Sequence, residues 1–100
     1  MDQNYRHVTV RVGWQLSKSS LENQSRNHEQ DLDAFGKFVE CELHHRAVVD
    51  ARAIYGAGSS MREVKFSANI PLSLEEWSKA IASAAKACRI LSDQSMWSFQ

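Results

Sequence analysis

The residues of this chain best suited to chemistry are a cysteine and two histidines that lie close together, Cys41, His44 and His45. Thiolate and imidazole groups bind zinc, and a thiol beside an imidazole can act as a nucleophile. Zinc sites usually combine two close pairs of ligands, whereas this sequence has one pair, with His28 and Cys88 as remote additional candidates. A strand would also send Cys41 and His45 to one face and His44 to the other. We therefore predict no metal, no cofactor and no catalytic site. A small metal-binding protein or enzyme that uses these three residues is the alternative.

A second group of chemically distinct residues is acidic and falls in the middle of the chain. It comprises Glu29, Asp31, Asp33, Glu40 and Glu42. Charged residues mostly form a solvated surface. A local acidic patch can also dock on a basic groove of another protein and speed their encounter. These five residues are candidate partner-binding residues.

Two aromatic residues near the end of the sequence, Trp97 and Phe99, belong to no periodic pattern. They either fold back on the sheet or stay exposed, and exposed aromatic side chains are typical anchors of protein interfaces. We add both to the candidate partner-binding residues.

The elements that position these groups are clearest between residues 61 and 91. Apolar and polar residues alternate from Val64 to Ile70, which predicts a half-buried strand that ends at Pro71. Ser73 and Glu76 have the spacing of a capping box, which predicts the start of a helix. The apolar residues that follow have helical spacing as far as Leu91: Leu74, Trp77, Ile81, Ala84, Ala85, Cys88 and Leu91. The opposite surface, with Lys79, Ser83 and Lys86, should face water.

The central segment, Phe38 to Tyr55, is ambiguous. Its odd-numbered residues are apolar except His45, which favours a strand with a bend or bulge between His44 and Val49. A helix that starts near Leu32 is the rival interpretation, because no glycine or proline occurs between residues 37 and 55. The strand would put Cys41 in the core. It would also form a hairpin with the next strand through the turn at residues 56–60.

The remaining segments complete a small α+β domain. Val8, Val10 and Val12 alternate with polar residues, which predicts another strand, and Gly36 marks the end of a short helical turn that begins at Asp31. Residues 17–30 read as a mobile polar loop and residues 92–100 as a short tail. We predict one domain over residues 1–100. It has a small antiparallel sheet of about three main strands, with the Ser73 to Leu91 helix on one face.

Composition narrows the class of function. Twelve basic and twelve acidic residues balance in a chain of 100 residues, which argues against nucleic acid as a partner. No apolar run approaches a membrane span, and no export signal is visible at the start, so we expect a cytoplasmic protein with reduced cysteines. We predict a small non-catalytic protein-binding module. We expect an inhibitor or immunity-type protein, such as those encoded by phage or mobile elements, that blocks a larger protein complex. A homodimer through a sheet edge is a further expectation.

Overall fold

Two helices and an antiparallel sheet make up the part of the chain that the structure describes, residues 3–14, 28–55 and 61–100 of a computed structural model. In chain order the elements are β1 (Asn4–Trp14), α1 (His28–Glu42), β2 (Val49–Tyr55), β3 (Met61–Ser73), α2 (Leu74–Ala87), β4 (Ile90–Ser92), a 3₁₀ helix (Gln94–Met96) and β5 (Ser98–Phe99). The α+β class predicted from the sequence is confirmed.

The sheet has the strand order β2-β3-β1-β4, and the short β5 also pairs with β1. All of these pairings are antiparallel. The hairpin of β2 and β3 is therefore present, whereas its predicted turn at residues 56–60 lies outside the described residues. The two short strands β4 and β5 enlarge the sheet beyond the three main strands that periodicity predicts.

Both helices cover the same face of the sheet. The valines of β1 and the apolar residues of β3 that alternate toward this face are buried: Val8, Val10, Val12, Val64, Phe66 and Ala68. The ring of Phe66 meets Phe35 of α1 edge to face at 5.0 Å between centroids, and it lies 6.5 Å from Trp77 of α2. Trp77 also donates its indole N–H to the carbonyl of Tyr5 over 2.8 Å. One aromatic cluster thus joins both helices to the sheet.

The predicted start of α2 is confirmed, and its predicted buried face is confirmed in part, because Leu74 in the first turn is 50% exposed. Ser73 is the N-cap, and its hydroxyl accepts a hydrogen bond from the backbone N–H of Glu76 over 3.1 Å. Trp77, Ile81 and three alanines are buried, whereas the predicted water-facing side chains of α2 are exposed. The helix ends at Ala87 rather than Leu91, and Leu91 is 56% exposed in β4.

The strand predicted for Phe38 to Tyr55 is wrong over its first half. Residues 28–42 form α1, which continues through Gly36 instead of stopping there, and β2 begins only at Val49. The chain reverses between these elements, in the region where a bend was expected. Cys41 consequently lies on the solvent side of a helix and is exposed, not buried in the core.

Pro71 does not end its strand, because β3 continues to Ser73. The ladder between β1 and β3 shifts register between Tyr5 and His7 and then resumes with Leu72 opposite Tyr5. An irregularity of this kind accommodates a residue that has no N–H to donate.

The polar segment 17–30 lies largely outside the described residues, and its last three residues begin α1. Within the described ranges, neither helix has the length and apolar character needed to span a membrane.

Candidate functional site

The end of α1 is closed by an unusual turn. His44 and His45 both have positive φ, 55° and 58°, although neither is a glycine. The N–H of His45 donates to the carbonyl of Glu40 over 3.0 Å, and that of His44 donates to Cys41 over 2.9 Å. These bonds satisfy carbonyls at the helix end, as in the left-handed caps that usually employ glycine. The turn fixes the positions of His44 and His45 relative to Cys41, the three residues of the alternative metal-binding interpretation.

This turn brings together two of the three residues. The thiol Sγ of Cys41 lies 3.8 Å from Nε2 of His45, one helical turn away along the chain. His44 instead lines a groove between the two helices. Within residues 3–14, 28–55 and 61–100, no three or more cysteine, histidine or acidic residues group together as metal ligands. The structure therefore shows a Cys-His pair rather than a complete metal centre.

A groove with a volume of about 610 Å³ lies between the two helices. We call it the inter-helix groove. Its residues come from the end of α1, the turn after it and one side of α2: Glu42, Leu43, His44, Arg46, Glu76, Lys79, Ala80, Ala82 and Ser83. Leu43 and Ala80 are 4% and 2% exposed, and they give the groove an apolar floor.

Most charged residues of the inter-helix groove are paired with each other or with a close neighbour. Arg46 forms an ion pair with Glu76 that links the turn to α2. Lys79 lies 3.7 Å from Glu75, four positions earlier on the same helix, and forms an ion pair with it. Glu42 is the exception, because no ion pair joins it to any described residue. Its carboxylate is exposed at the rim of the groove.

The five acidic residues predicted as one patch do not form a continuous surface. Residues seven or eleven apart share a side of a helix, so Asp33 and Glu40 lie on one side of α1 and Asp31 and Glu42 on the other. Asp33 also pairs with Lys37 at 3.5 Å. Glu29 lies in the first turn of α1, and its side chain lies outside the described part.

Glu40 has a structural contact. Its carboxylate accepts a hydrogen bond from the backbone N–H of Val49 over 2.7 Å. The N–H of Asn69 donates to the carbonyl of Val48, so in an antiparallel ladder the next residue, Val49, turns its N–H away from β3. Glu40 therefore occupies a donor on the outer edge of the sheet.

Trp97 and Phe99 fold back on the sheet, which is one of the two arrangements expected for them. Both are partly buried against the core. The indole N–H of Trp97 donates to the hydroxyl of Ser92 over 2.7 Å, and the ring of Phe99 lies 5.4 Å from that of Tyr5. Their partial exposure still allows a role in partner binding, which stays a prediction.

Comparisons of the chain with protein-family models, with curated proteins and with solved structures find no match. Function therefore has to be inferred from the geometry of the described residues. The sequence analysis named Glu42 as a candidate for partner binding and His44 only as a candidate for the alternative metal site, and it missed Arg46 and Glu76. These two are thirty positions apart and meet only because α1 packs against α2. No local pattern signals such a pair.

Proposed function

We propose that this chain is a small non-catalytic protein-binding module whose inter-helix groove holds a segment of a larger protein. The observation that carries the proposal is the position of Glu42. Its exposed carboxylate has no ion-pair partner among the described residues, and it stands at the rim above the apolar floor formed by Leu43 and Ala80. A groove with an apolar floor and one uncompensated charge at its rim suits a partner that supplies a small apolar side chain and a basic group.

Neighbouring features support this choice of partner. Arg46 and Glu76 neutralise each other across the groove, as Lys79 and Glu75 do beside it, so they contribute little net field. The carboxylate of Glu42 therefore dominates the local electrostatics and favours a basic surface. A module of this kind would act by occupying a surface of its partner, as an inhibitor or immunity-type protein does, including those of phage or mobile elements.

Affinity capture from the native host tests the proposal when it is combined with matched variants. Glu42→Lys should abolish capture of the partner, and Ser83→Tyr should weaken capture by filling the groove. Asp33→Lys is the control, because it reverses an exposed acidic charge on the opposite side of the same helix. Capture should also weaken with rising salt. Loss of capture with Asp33→Lys alone would place the contact on the other side of α1 and overturn the groove assignment.

A metal-binding protein is the second candidate, and the approach of Cys41 Sγ to His45 Nε2 favours it. This pair would supply two of the four ligands that zinc usually takes, so the others would have to come from outside the described residues. Elemental analysis of the purified protein tests the idea. Stoichiometric zinc that disappears in Cys41→Ser, but not in Cys88→Ser, would establish it. A protein without zinc would exclude zinc binding under those conditions.

Two finer parts of the proposal concern assembly and location. A homodimer through a sheet edge remains a proposal, although at β2 Glu40 already occupies the N–H of Val49. Light scattering measures the oligomeric state directly. No disulfide joins Cys41 and Cys88, which suits a reducing compartment, and we propose a cytoplasmic location on that basis. Fractionation of the native host would test it.

A further inference from the structure

The face of the sheet that points away from the helices is polar along its three long strands. Val8, Val10 and Val12 are buried under the helices, so the alternating residues of β1 lie on the opposite side. We call this side the outer sheet face. Its residues on the three long strands include His7, Thr9, Arg11, Asp50, Arg52, Glu63, Lys65 and Ser67.

The registers of the strands place Lys65 at the centre of this surface. Lys65 pairs with Thr9 of β1 on one side and with Arg52 of β2 on the other. The adjacent row consists of His7, Ser67 and Asp50 in the same strand order. Directly opposite residues in neighbouring strands have Cβ atoms about 5 Å apart, so one small ligand can reach several of these side chains together.

The charges of the outer sheet face leave Lys65 uncompensated. Arg11 pairs with Glu63 at 3.4 Å, and Arg52 pairs with Asp50 at 2.6 Å. Both nearby carboxylates are therefore engaged by other cations, and no ion pair joins Lys65 to a described residue. Lys65 lies directly opposite Arg52, whose charge is already paired with Asp50, so the charge of Lys65 is the one left for an added anion.

The registers of β1 and β3 place residues with neutral hydrogen-bonding side chains, His7, Thr9 and Ser67, next to Lys65. Nδ1 of His7 lies 3.0 Å from the hydroxyl oxygen of Ser67. When Nδ1 carries the proton, the imidazole donates to Ser67, and the serine hydroxyl keeps its own hydrogen for a ligand. Thr9 supplies a second hydroxyl opposite Lys65. All four side chains are half-buried, which limits their freedom before a ligand arrives.

We propose that Lys65, together with Ser67, Thr9 and His7, forms a binding site for a tetrahedral oxyanion, specifically a phosphate group. Lys65 supplies the full charge, and the hydroxyls of Ser67 and Thr9 donate to separate oxygens of the anion, an arrangement typical of charge-assisted recognition. The site lies on the opposite side of the sheet from the inter-helix groove. The proposed phosphate site is therefore independent of the partner-binding function proposed for the inter-helix groove.

Titration of the labelled protein with inorganic phosphate, followed by amide NMR at constant ionic strength, tests this site. The amide signals of Thr9, Lys65 and Ser67 should shift together and saturate. Lys65→Ala should weaken phosphate binding by about tenfold or more, because it removes a charged donor, and Lys65→Arg should retain most of it. Lys79→Ala is the matched control, since it removes an exposed lysine from α2 and should leave binding unchanged.

A second titration with a short phosphoserine peptide distinguishes the source of the phosphate group. Equal affinity for the peptide and for inorganic phosphate would assign the site to free phosphate. Tighter binding of the peptide would assign it to a phosphorylated protein. Unchanged affinity in Lys65→Ala, or equal shifts with sodium chloride in place of phosphate, would overturn the proposal.

Discussion

The side-chain carboxylate of Glu40, close to the end of α1, accepts a hydrogen bond from the backbone N–H of Val49, the first residue of β2, over 2.7 Å. This hydrogen bond links α1 to the edge strand β2 across the turn that connects them. The bond also occupies an edge donor that another strand would need for pairing. An acidic residue that looks like part of a binding patch in the sequence is thus part of the fold.

Replacing Glu40 should weaken the fold, whereas replacing its neighbour Glu42 should not. Glu40→Ala leaves the N–H of Val49 without its partner and should lower the free energy of unfolding by about 1–3 kcal/mol. Glu42 is exposed, and Glu42→Ala should change that free energy by less than about 0.5 kcal/mol. Urea denaturation measures both. Equal stability of the two variants would show that the bond to Val49 contributes nothing.

Gly36 should tolerate no branched side chain. A Cβ atom at this position would lie 3.2 Å from the Cβ of Ala51 and 3.7 Å from its backbone nitrogen, so α1 passes very close to β2 here. Gly36→Val adds two further methyl groups and should destabilise the protein by about 1–3 kcal/mol through overpacking.

Lys37→Val is the control for Gly36→Val, because it introduces the same side chain at the next, exposed position of α1. Thermal unfolding followed by circular dichroism compares the two variants. A melting temperature of Gly36→Val equal to that of Lys37→Val would contradict the close approach of helix and strand.

The buried face of α2 is tested by Ile81, which is fully buried. Ile81→Ala should cost about 2–4 kcal/mol, the loss expected for a truncated core side chain. Leu91→Ala provides the comparison, because Leu91 is 56% exposed and its truncation should cost far less. Chemical denaturation gives both values. A stable Ile81→Ala variant would mean that another face of α2 covers the sheet.

The periodicity of apolar residues predicted an element correctly where either the strand repeat or the helix repeat fits the sequence far better than the other. β1, the central part of β3 and the buried face of α2 have clear two-residue or helical repeats, and the cap at Ser73 is local. These signals depend only on neighbouring residues. The α+β class could be predicted from them alone.

The first half of the central segment was wrongly predicted as a strand because the spacing of its buried residues fits a helix and an alternating pattern equally well. Phe35, Val39, Leu43 and Ala47 are four residues apart and all are buried. An interval of four is even, so the same residues also occupy one face of a strand. The helix then ends at Glu42, and His44 and His45 just beyond it take positive φ without the glycine that normally marks such an end. The spacing of the apolar residues therefore did not distinguish a helix from a strand, and no glycine marked the end of the helix.

The candidate sites were less predictable than the fold because they depend on packing between distant segments. Glu42 was predicted for partner binding and His44 was a candidate of the alternative metal site, but the inter-helix groove that contains both requires the second wall that α2 provides. Likewise, Lys65 becomes the centre of a polar surface only when β1 and β2 flank β3 in the observed registers. Two alternating strands in a sequence do not specify which of their residues will be opposite each other.

The carboxylate of Asp93 should titrate at lower pH than an ordinary aspartate. Asp93 caps the 3₁₀ helix, where it accepts hydrogen bonds from the hydroxyl of Ser95 at 2.7 Å and from its backbone N–H at 3.0 Å. The bond from the Ser95 hydroxyl, and next the bond from its backbone N–H, lower the pKa of Asp93 below its ordinary value of 3.8. Carbon-detected NMR of the side-chain carboxyl measures the midpoint directly.

Removing the hydroxyl of Ser95 should raise the pKa of Asp93 toward its ordinary value. Ser95→Ala keeps the backbone donor, so the pKa should recover only in part, and Ser83→Ala should leave it unchanged. Because the pKa is lowered in the folded state, the contribution of this cap to stability is present above pH 3.8 and is lost as the pH falls through the folded-state pKa. An Asp93 midpoint that is the same in Ser95→Ala and in the unsubstituted protein would show that the serine hydroxyl does not bind the carboxylate in solution.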